Sequence, residues 1–400
     1  MLMKGSRRYV ATVLVLLVAY ILVYFHRTMT GVMKPEVDHY ARYYGVDANL
    51  LLAVMSSAYF YAYAVSQVFM GPLIDHYGVR RVGGVMLTLL GVATLVMSLP
   101  NPVSLIVGRT LIGVSATVAF LSYMRSSSLG FGPGSQGRLS SYALFAGGVS
   151  TVLATYPLRL MLNTAGISMT FLALAALAFM LAASVYMISP DNGNGGGNGS
   201  LLRQVAMLKD IAGSPHVWGV GLAAVASYGT GLAYQSAWGQ IHLARVFSLG
   251  KDAVSLYLML LAMVFVASSI PTGYLSDKLK KRRPFLLAAT LVAVASWLLM
   301  FLSSYMDSTG LLLVSLGLLG LSQGLHVIAA TMAKEPYDPA VSGTAVAFFN
   351  IILFMGIAVL QTICTVLNPL ASILVNLLVA IAGSAATLTL VKETYPSKHA

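Results

Sequence analysis

The sequence predicts an all-α membrane protein: twelve transmembrane helices in two pseudo-symmetric six-helix bundles. Three observations lead there. Hydrophobic residues make up 58% of the 400 residues and charged residues only 9%, with a mean hydropathy of +0.82; a soluble domain carries roughly a quarter charged residues. Apolar runs of about 20 residues, the length that crosses a bilayer, recur along the whole chain. Finally, Gly71-Pro-Leu-Ile-Asp75-His-Tyr-Gly-Val-Arg80-Arg81 returns 202 residues on as Gly273-Tyr-Leu-Ser-Asp277-Lys-Leu-Lys-Lys-Arg282-Arg283. Any membrane edge collects basic pairs, but only a duplication matches the Gly and Asp as well.

Candidate spans follow in order: 9–33, 49–74, 82–99, 103–125, 140–162, 167–188, 216–240, 253–276, 284–305, 310–333, 341–366 and 368–391. The first begins behind Lys4, Arg7 and Arg8, and no small-residue cleavage site follows it, so it reads as a helix and not a signal peptide. Gly45-Val-Asp47-Ala48 before span two parallels Gly250-Lys-Asp252-Ala253 before span eight, and Asp47 or Asn49, and Asp252, suit helix caps. Residues 191–200, Asp-Asn-Gly-Asn-Gly-Gly-Gly-Asn-Gly-Ser, have the composition of a flexible tether. The expected domains are 1–188, a linker over 189–214, and 215–400.

Twelve spans place both termini on one side. With the N-terminus in the cytoplasm, only Lys34, Arg42, Arg245 and Lys251 fall outside, while Arg27, Arg109 and Arg159 fall within spans. The positive-inside rule favours this orientation, and a plasma membrane location is expected. The formal charge of +12 lies in short loops and not on one polar domain, which excludes a nucleic-acid partner. The single cysteine, Cys364, excludes an intrachain disulfide.

Twelve spans, a central loop and the duplicated hairpin resemble the major facilitator superfamily over the whole chain. The family's Gly-x-x-x-Asp-x-x-Gly-x-Arg-Arg/Lys motif is matched at Gly71, Asp75, Gly78, Arg80 and Arg81; in the second copy Lys280 stands where Gly78 does. Arg109-Thr-Leu-Ile-Gly113 resembles a second family motif, Arg-x-x-x-Gly, whereas the span-five antiporter signature is missing from 140–162. Tyr24-Phe-His26-Arg27-Thr and Phe131-Gly-Pro133-Gly-Ser-Gln-Gly-Arg138 resemble stretches of the organic-anion branch, the anion:cation symporters. His26 replaces that branch's acidic residue, and Ala116 stands where its proton-coupled members carry Glu. The resemblance implies alternating access between the halves. It also makes Gly71, Asp75, Arg80, Arg81, Gly273, Asp277, Arg282 and Arg283 a conformational gate, with Asp75 and Arg81, and Asp277 and Arg283, holding loops by ion pairs.

Arg27 is the sharpest site candidate. A cation in a span costs at least about 2.5 kcal/mol on insertion scales, so it belongs in a wet cavity or beside a partner. Tyr20, Tyr24, Thr28 and Gly31 share its helix face, and its planar fork suits a carboxylate. The competing reading pairs it with Glu36 or Asp38 at the membrane edge. Tyr59 and Tyr63 in span two, Tyr228 and Gln235 in span seven, Gln323 and His326 in span ten and Asn350 in span eleven complete the substrate-binding candidates. Packing is the competing role for the tyrosines. His26 and Arg109 are the coupling candidates, Arg109 through interhelical hydrogen bonds.

All twelve Asp and Glu residues lie in loops or at span ends. A buried carboxylate is the usual proton relay of a transporter, so His26 and His326 remain as groups that change charge between pH 5 and 8. The leading expectation is a monomeric secondary transporter of a small anion, an organic carboxylate, moved by symport, with the lipid bilayer and the solute as its partners. Export of drug-like compounds, or carriage of a sugar or peptide, are the alternatives; a membrane sensor is a third. No zinc-ligand spacing, nucleophile motif or phosphate-binding loop points to an enzyme, a metal or a cofactor.

Overall fold

The computed structural model describes residues 4–99, 101–131, 136–191, 208–337 and 339–395. Most of the expected tether therefore lies outside the described residues. Among those described, all regular structure is helical. Ten helices are long and apolar enough to cross a membrane: Arg7–Val32, Ala48–Ile74, His76–Met97, Pro102–Gly130, Tyr156–Ile188, Lys251–Leu279, Arg283–Tyr305, Thr309–Lys334, Gly343–Val366 and Pro369–Thr389.

Two expected spans depart from that pattern. The span read at 140–162 is a helix over Gln136–Leu153 that turns at Ala154 and Thr155 and resumes at Tyr156. Pro157 gives the reason: it has no N–H to donate, and its ring crowds the carbonyl four residues back. The resumed helix turns at Gly166, whose φ is 72°. The span read at 216–240 runs through Pro215–Ala224, Val225–Gly229, Thr230–Ala233, Tyr234–Trp238 and Gly239–Val246, of which Val225–Gly229 and Tyr234–Trp238 are π-helical. Residues 223–243 are all buried, so this helix is enclosed by protein on every side.

The chain forms two compact units, Met1–Leu201 and Leu202–Ala400. In the first, Asp47 caps the helix Ala48–Met97, its Oδ1 accepting from Leu50 N at 2.7 Å. That helix contains the first charged hairpin, and the chain turns there at Gly78 with φ 80° and ψ 160°. In the second unit, Lys280 occupies the same place in the repeat and is also left-handed, with φ 53° and ψ 42°. A side chain in that region costs about 1–2 kcal/mol, so the turn survives the loss of glycine. The expected cap at Asp252 is not formed: Gly250 is the N-cap and Asp252 sits in the first turn, where its charge suits the helix dipole.

Close helix crossings also repeat. A Cβ on Gly113 would lie 2.3 Å from Tyr59 O, and one on Gly320 would lie 2.5 Å from Leu261 O. Spans two and four of each unit therefore touch backbone to backbone at a glycine.

Candidate functional site

In the first unit the polar centre is Arg27, only 3% exposed near the end of the helix Lys4–Thr28. Its guanidinium carbon lies 4.1 Å from the Tyr24 ring centre and 4.9 Å from that of Tyr63. Nε donates to Tyr59 Oη at 3.4 Å. Tyr59 and Tyr63 stack at 5.9 Å, and Tyr20 packs on Tyr24 at 5.0 Å and on Phe120 at 5.4 Å. Two rings thus lie within cation–π distance of the guanidinium, and a carboxylate is the group that a planar fork of donors binds. The competing partners are engaged elsewhere: Glu36 holds Arg159, and Asp38 holds Lys34. The structure brings Tyr24, Arg27, Tyr59 and Tyr63 together.

Arg109 is fully buried and serves as a brace. Its Nε donates to Met55 O at 3.2 Å, its Nη1 to His26 O, and its guanidinium lies 4.7 Å from the Tyr59 ring centre. It joins three helices and fixes both the residue before Arg27 and the tyrosine that Arg27 contacts. His26 points elsewhere. Thr94 gives its hydroxyl proton to Leu90 O at 2.7 Å, so His26 Nε2–H donates to Thr94 Oγ1 at 3.2 Å. The other nitrogen, Nδ1, is buried with no partner among the described residues. A second proton on His26 would have no acceptor among the described residues.

Arg159 was not among the sequence candidates, yet it forms a buried ion pair with Glu36 and donates to Val32 O at 2.9 Å. Nothing in the spacing from 36 to 159 signals that pair. A cavity of about 240 Å³ lies beside it, lined by Glu36, His39, Tyr40, Gly166 and their apolar neighbours. Burial, then the Glu36 charge, raises the Tyr40 phenol above its ordinary value.

The second unit gathers four expected residues around span seven. His326 stacks on Tyr228 with ring centres 4.3 Å apart, and its Nδ1 donates to Gln323 O at 2.7 Å. Gln323 Nε2 donates to Tyr228 O at 3.4 Å and lies against Gly231, where a Cβ would come within 2.7 Å of it. Gln235 is about one turn beyond Gly231 on the same helix, inside the second π-helical segment. Asn350 is half-buried on the helix Pro339–Val366, and no described contact joins it to this cluster. Sequence reading missed a second polar chain, in which Tyr234 Oη donates to His242 Nδ1 at 2.9 Å and His242 Nε2 reaches Ser304 Oγ at 2.8 Å. Spacing hid it, because the π-helical turn brings residues eight apart together.

The charged hairpins are clasped within their own units. Asp277 binds Arg282, at 2.6 Å, and not Arg283; Arg282 also reaches Glu335 at 3.3 Å. Arg283 Nη2 donates instead to Leu388 O at 2.7 Å, much as Arg80 Nε donates to Tyr186 O at 2.8 Å. Arg81 pairs with Asp191 at 3.6 Å, while the Asp75 side chain lies outside the described residues. At the C-terminal end Glu393 accepts from the backbone N–H groups of Arg282, Arg283, Thr394 and Tyr395. Burial alone would raise this carboxyl, but those amides outweigh it and hold it below its ordinary value. Arg282 is shifted up: burial opposes its charge, and the Asp277 and Glu335 carboxylates more than compensate.

A helical protein with ten membrane-length spans among the described residues and polar clusters sealed inside each unit is a multi-pass membrane carrier by class. The Major Facilitator Superfamily model matches residues 16–361, and the chain belongs to that family, one of secondary transporters working by alternating access. No curated protein matches it in sequence. Solved structures share its fold at low identity. A D-xylose-proton symporter aligns with a TM-score of 0.78 at 13% identity, covering 96% of this chain and 98% of that one. A bacterial homolog of the human lysosomal transporter Spinster, inward-facing and unoccupied, gives 0.73 at 14%, covering 96% and 98%. A POT family transporter in complex with 5-aminolevulinic acid gives 0.74 at 10%, covering 94% of each. At these identities the likeness carries the fold and not the substrate.

Proposed function

We propose that this chain is a twelve-span secondary active transporter of a small organic carboxylate. The helix Gln136–Leu153 and the run Pro215–Val246 supply the eleventh and twelfth crossings beside the ten long spans, six to each unit. Both termini face the cytoplasm of a cell membrane. The observation that carries the substrate class is the buried Arg27 guanidinium, within cation–π distance of the Tyr24 and Tyr63 rings. Ring faces and a phenol steady the cation and leave its charge in place, and a carboxylate is the ligand group that matches a planar fork. The hairpin residues Asp277, Arg282 and Arg283, with Arg80 and Arg81, act as the gate through their clasps.

A neutral solute is the second reading, as in the D-xylose-proton symporter that shares the fold. The uncharged cluster of Tyr228, Gln235, Gln323 and His326 suits hydroxyl groups. Equilibrium binding on the purified protein separates the two. Monocarboxylates should bind and lose affinity in Arg27→Ala, whereas binding confined to uncharged sugars would overturn the carboxylate assignment.

A further inference from the structure

At the hairpin face of the second unit, His216 is the second residue of the helix Pro215–Ala224 and is only 8% exposed. Both of its ring nitrogens are engaged. Nε2 lies 3.0 Å from Met332 O, and Nδ1 accepts from Lys392 N at 3.1 Å. A carbonyl only accepts and a backbone N–H only donates, so the ring proton sits on Nε2 and Nδ1 is bare. One neutral ring thus ties the start of span seven to the end of span ten and to the chain beyond span twelve. One turn on, a Cβ at Gly219 would lie 2.7 Å from that of Leu390, so the C-terminal segment packs directly on this helix. Lys392 in turn anchors the residues that close the second hairpin. Glu393 accepts from Arg282 and Arg283 N–H, Thr394 Oγ1 donates to Glu335 Oε2 at 2.6 Å, and the Tyr395 ring centre lies 5.0 Å from the Arg282 guanidinium carbon.

We propose that His216 is a pH-sensitive latch: the neutral ring holds the C-terminal segment over the second hairpin, and a proton on Nδ1 sets N–H against N–H and releases it. The surrounding charges do not relieve that second proton. Lys392 on the segment is a cation, as is Lys334 two residues after Met332, and Arg283 turns to Thr387 O and Leu388 O. Glu335 is committed to Arg282 and Thr394, and Lys209 and Asp210, before His216 in the chain, are exposed. The helices Pro339–Val366 and Pro369–Thr389 carry no Asp, Glu, Lys, Arg or His. The closed segment binds fewer protons than the open one, so its stability is full above the ordinary histidine value of about 6.5 and falls below it. Glu393, held below its ordinary carboxyl value, titrates under that window and gives a separate step. On the orientation proposed above the latch senses acidity in the cytoplasm, and the hairpin it frees belongs to the proposed gate; the latch itself depends on neither.

The test is amide hydrogen exchange at Arg282 and Arg283 in the purified full chain, between about pH 8 and about pH 5.5 on either side of the histidine value, corrected for intrinsic exchange rates. In the wild type, protection at both amides should fall tenfold or more as the pH drops. His216→Asn keeps an acceptor oxygen where Nδ1 stands and does not titrate, so its protection should stay within twofold of the wild-type value at the higher pH throughout. Lys392→Pro removes the donor and leaves the ring intact, so it should show low protection at every pH. Flat protection in the wild type, an equal fall in His216→Asn, or a retained fall in Lys392→Pro would each overturn the latch. The first of these needs no variant, and the third leaves His216 and the membrane spans untouched, so a variant that fails to fold does not shield the proposal.

Discussion

Replacing Arg27 tests the carboxylate reading most directly, and the structure sets the size of the effect. The cation gains two ring contacts, at 4.1 and 4.9 Å, each worth up to about 2 kcal/mol when desolvated. Against this, an arginine inside a span costs at least about 2.5 kcal/mol. The terms nearly cancel, so Arg27→Ala should leave insertion intact and thermal stability within about 1–2 kcal/mol of wild type. Ligand affinity should behave differently. Losing a desolvated charge partner costs about 2–5 kcal/mol, or roughly 30-fold or more. In a melting assay, a carboxylate at a hundred times its Kd stabilises wild type by about 2.7 kcal/mol; after a roughly 30-fold loss the same concentration gives about 0.9 kcal/mol. Arg27→Lys should fail nearly as badly, because an ammonium offers no planar fork of donors. Carboxylate affinity within about twofold of wild type in Arg27→Ala would refute the reasoning and leave Arg27 as a packing cation.

Three further outcomes follow from the geometry. Glu393→Gln should speed amide hydrogen exchange at Arg282, Arg283, Thr394 and Tyr395, whose N–H groups its carboxylate accepts. Because the folded pKa of Glu393 is depressed, its contribution is full above an unfolded glutamate's value of about 4.3 and is lost as pH falls through the folded value; unchanged protection across that window would exclude the clasp. Gly113→Ala and Gly320→Ala should each lower stability by about 1–3 kcal/mol or more through overpacking, while Gly250→Ala, with open space around it, should be near neutral; equal melting temperatures for all three would contradict the crossings. His26→Gln should leave the pH profile of transport unchanged while lowering stability, since its second nitrogen has no acceptor among the described residues; loss of pH dependence in that variant alone would make His26 the coupling group.

Much of the frame was legible because its signals are local. Hydropathy marks the spans, Asp47 marks a cap, and the hairpin repeat marks two units. Spacing on one helix joined Tyr24 to Arg27, and one turn of span two joined Tyr59 to Tyr63. What escaped depends on contacts between distant segments. Arg159 meets Glu36 across 123 positions, and Glu393 reaches back to Arg282 across 111. A strict 3.6-residue period also misplaces side chains wherever the helix turns π-helical, which is why Tyr234 and His242 were not seen as neighbours. The Asp277–Arg282 pair also escaped, because the left-handed turn at Lys280 brings Arg282 back toward the carboxylate, at a sequence distance of five.

The two units also differ in an informative way. Their clasps repeat at one interval of 202 residues: Arg81 with Asp191 in the first, and Arg283 N–H with Glu393 in the second. The acceptor carbonyls repeat with them, Tyr186 O for Arg80 and Leu388 O for Arg283. The helix crossings at Gly113 and Gly320 then fix the register of the interior, and there the likeness stops. Tyr59 and Tyr63 correspond to Leu261 and Phe265, and four residues before each glycine stand Arg109 in one unit and Leu316 in the other. A frame under the same mechanical demand in both halves keeps the same residues. A binding surface is under no such demand. Arg27 with its tyrosines in the first unit and the amides beside Gly231 in the second are thus the residues that duplication left free to specialise, and chemical selectivity is to be sought in them.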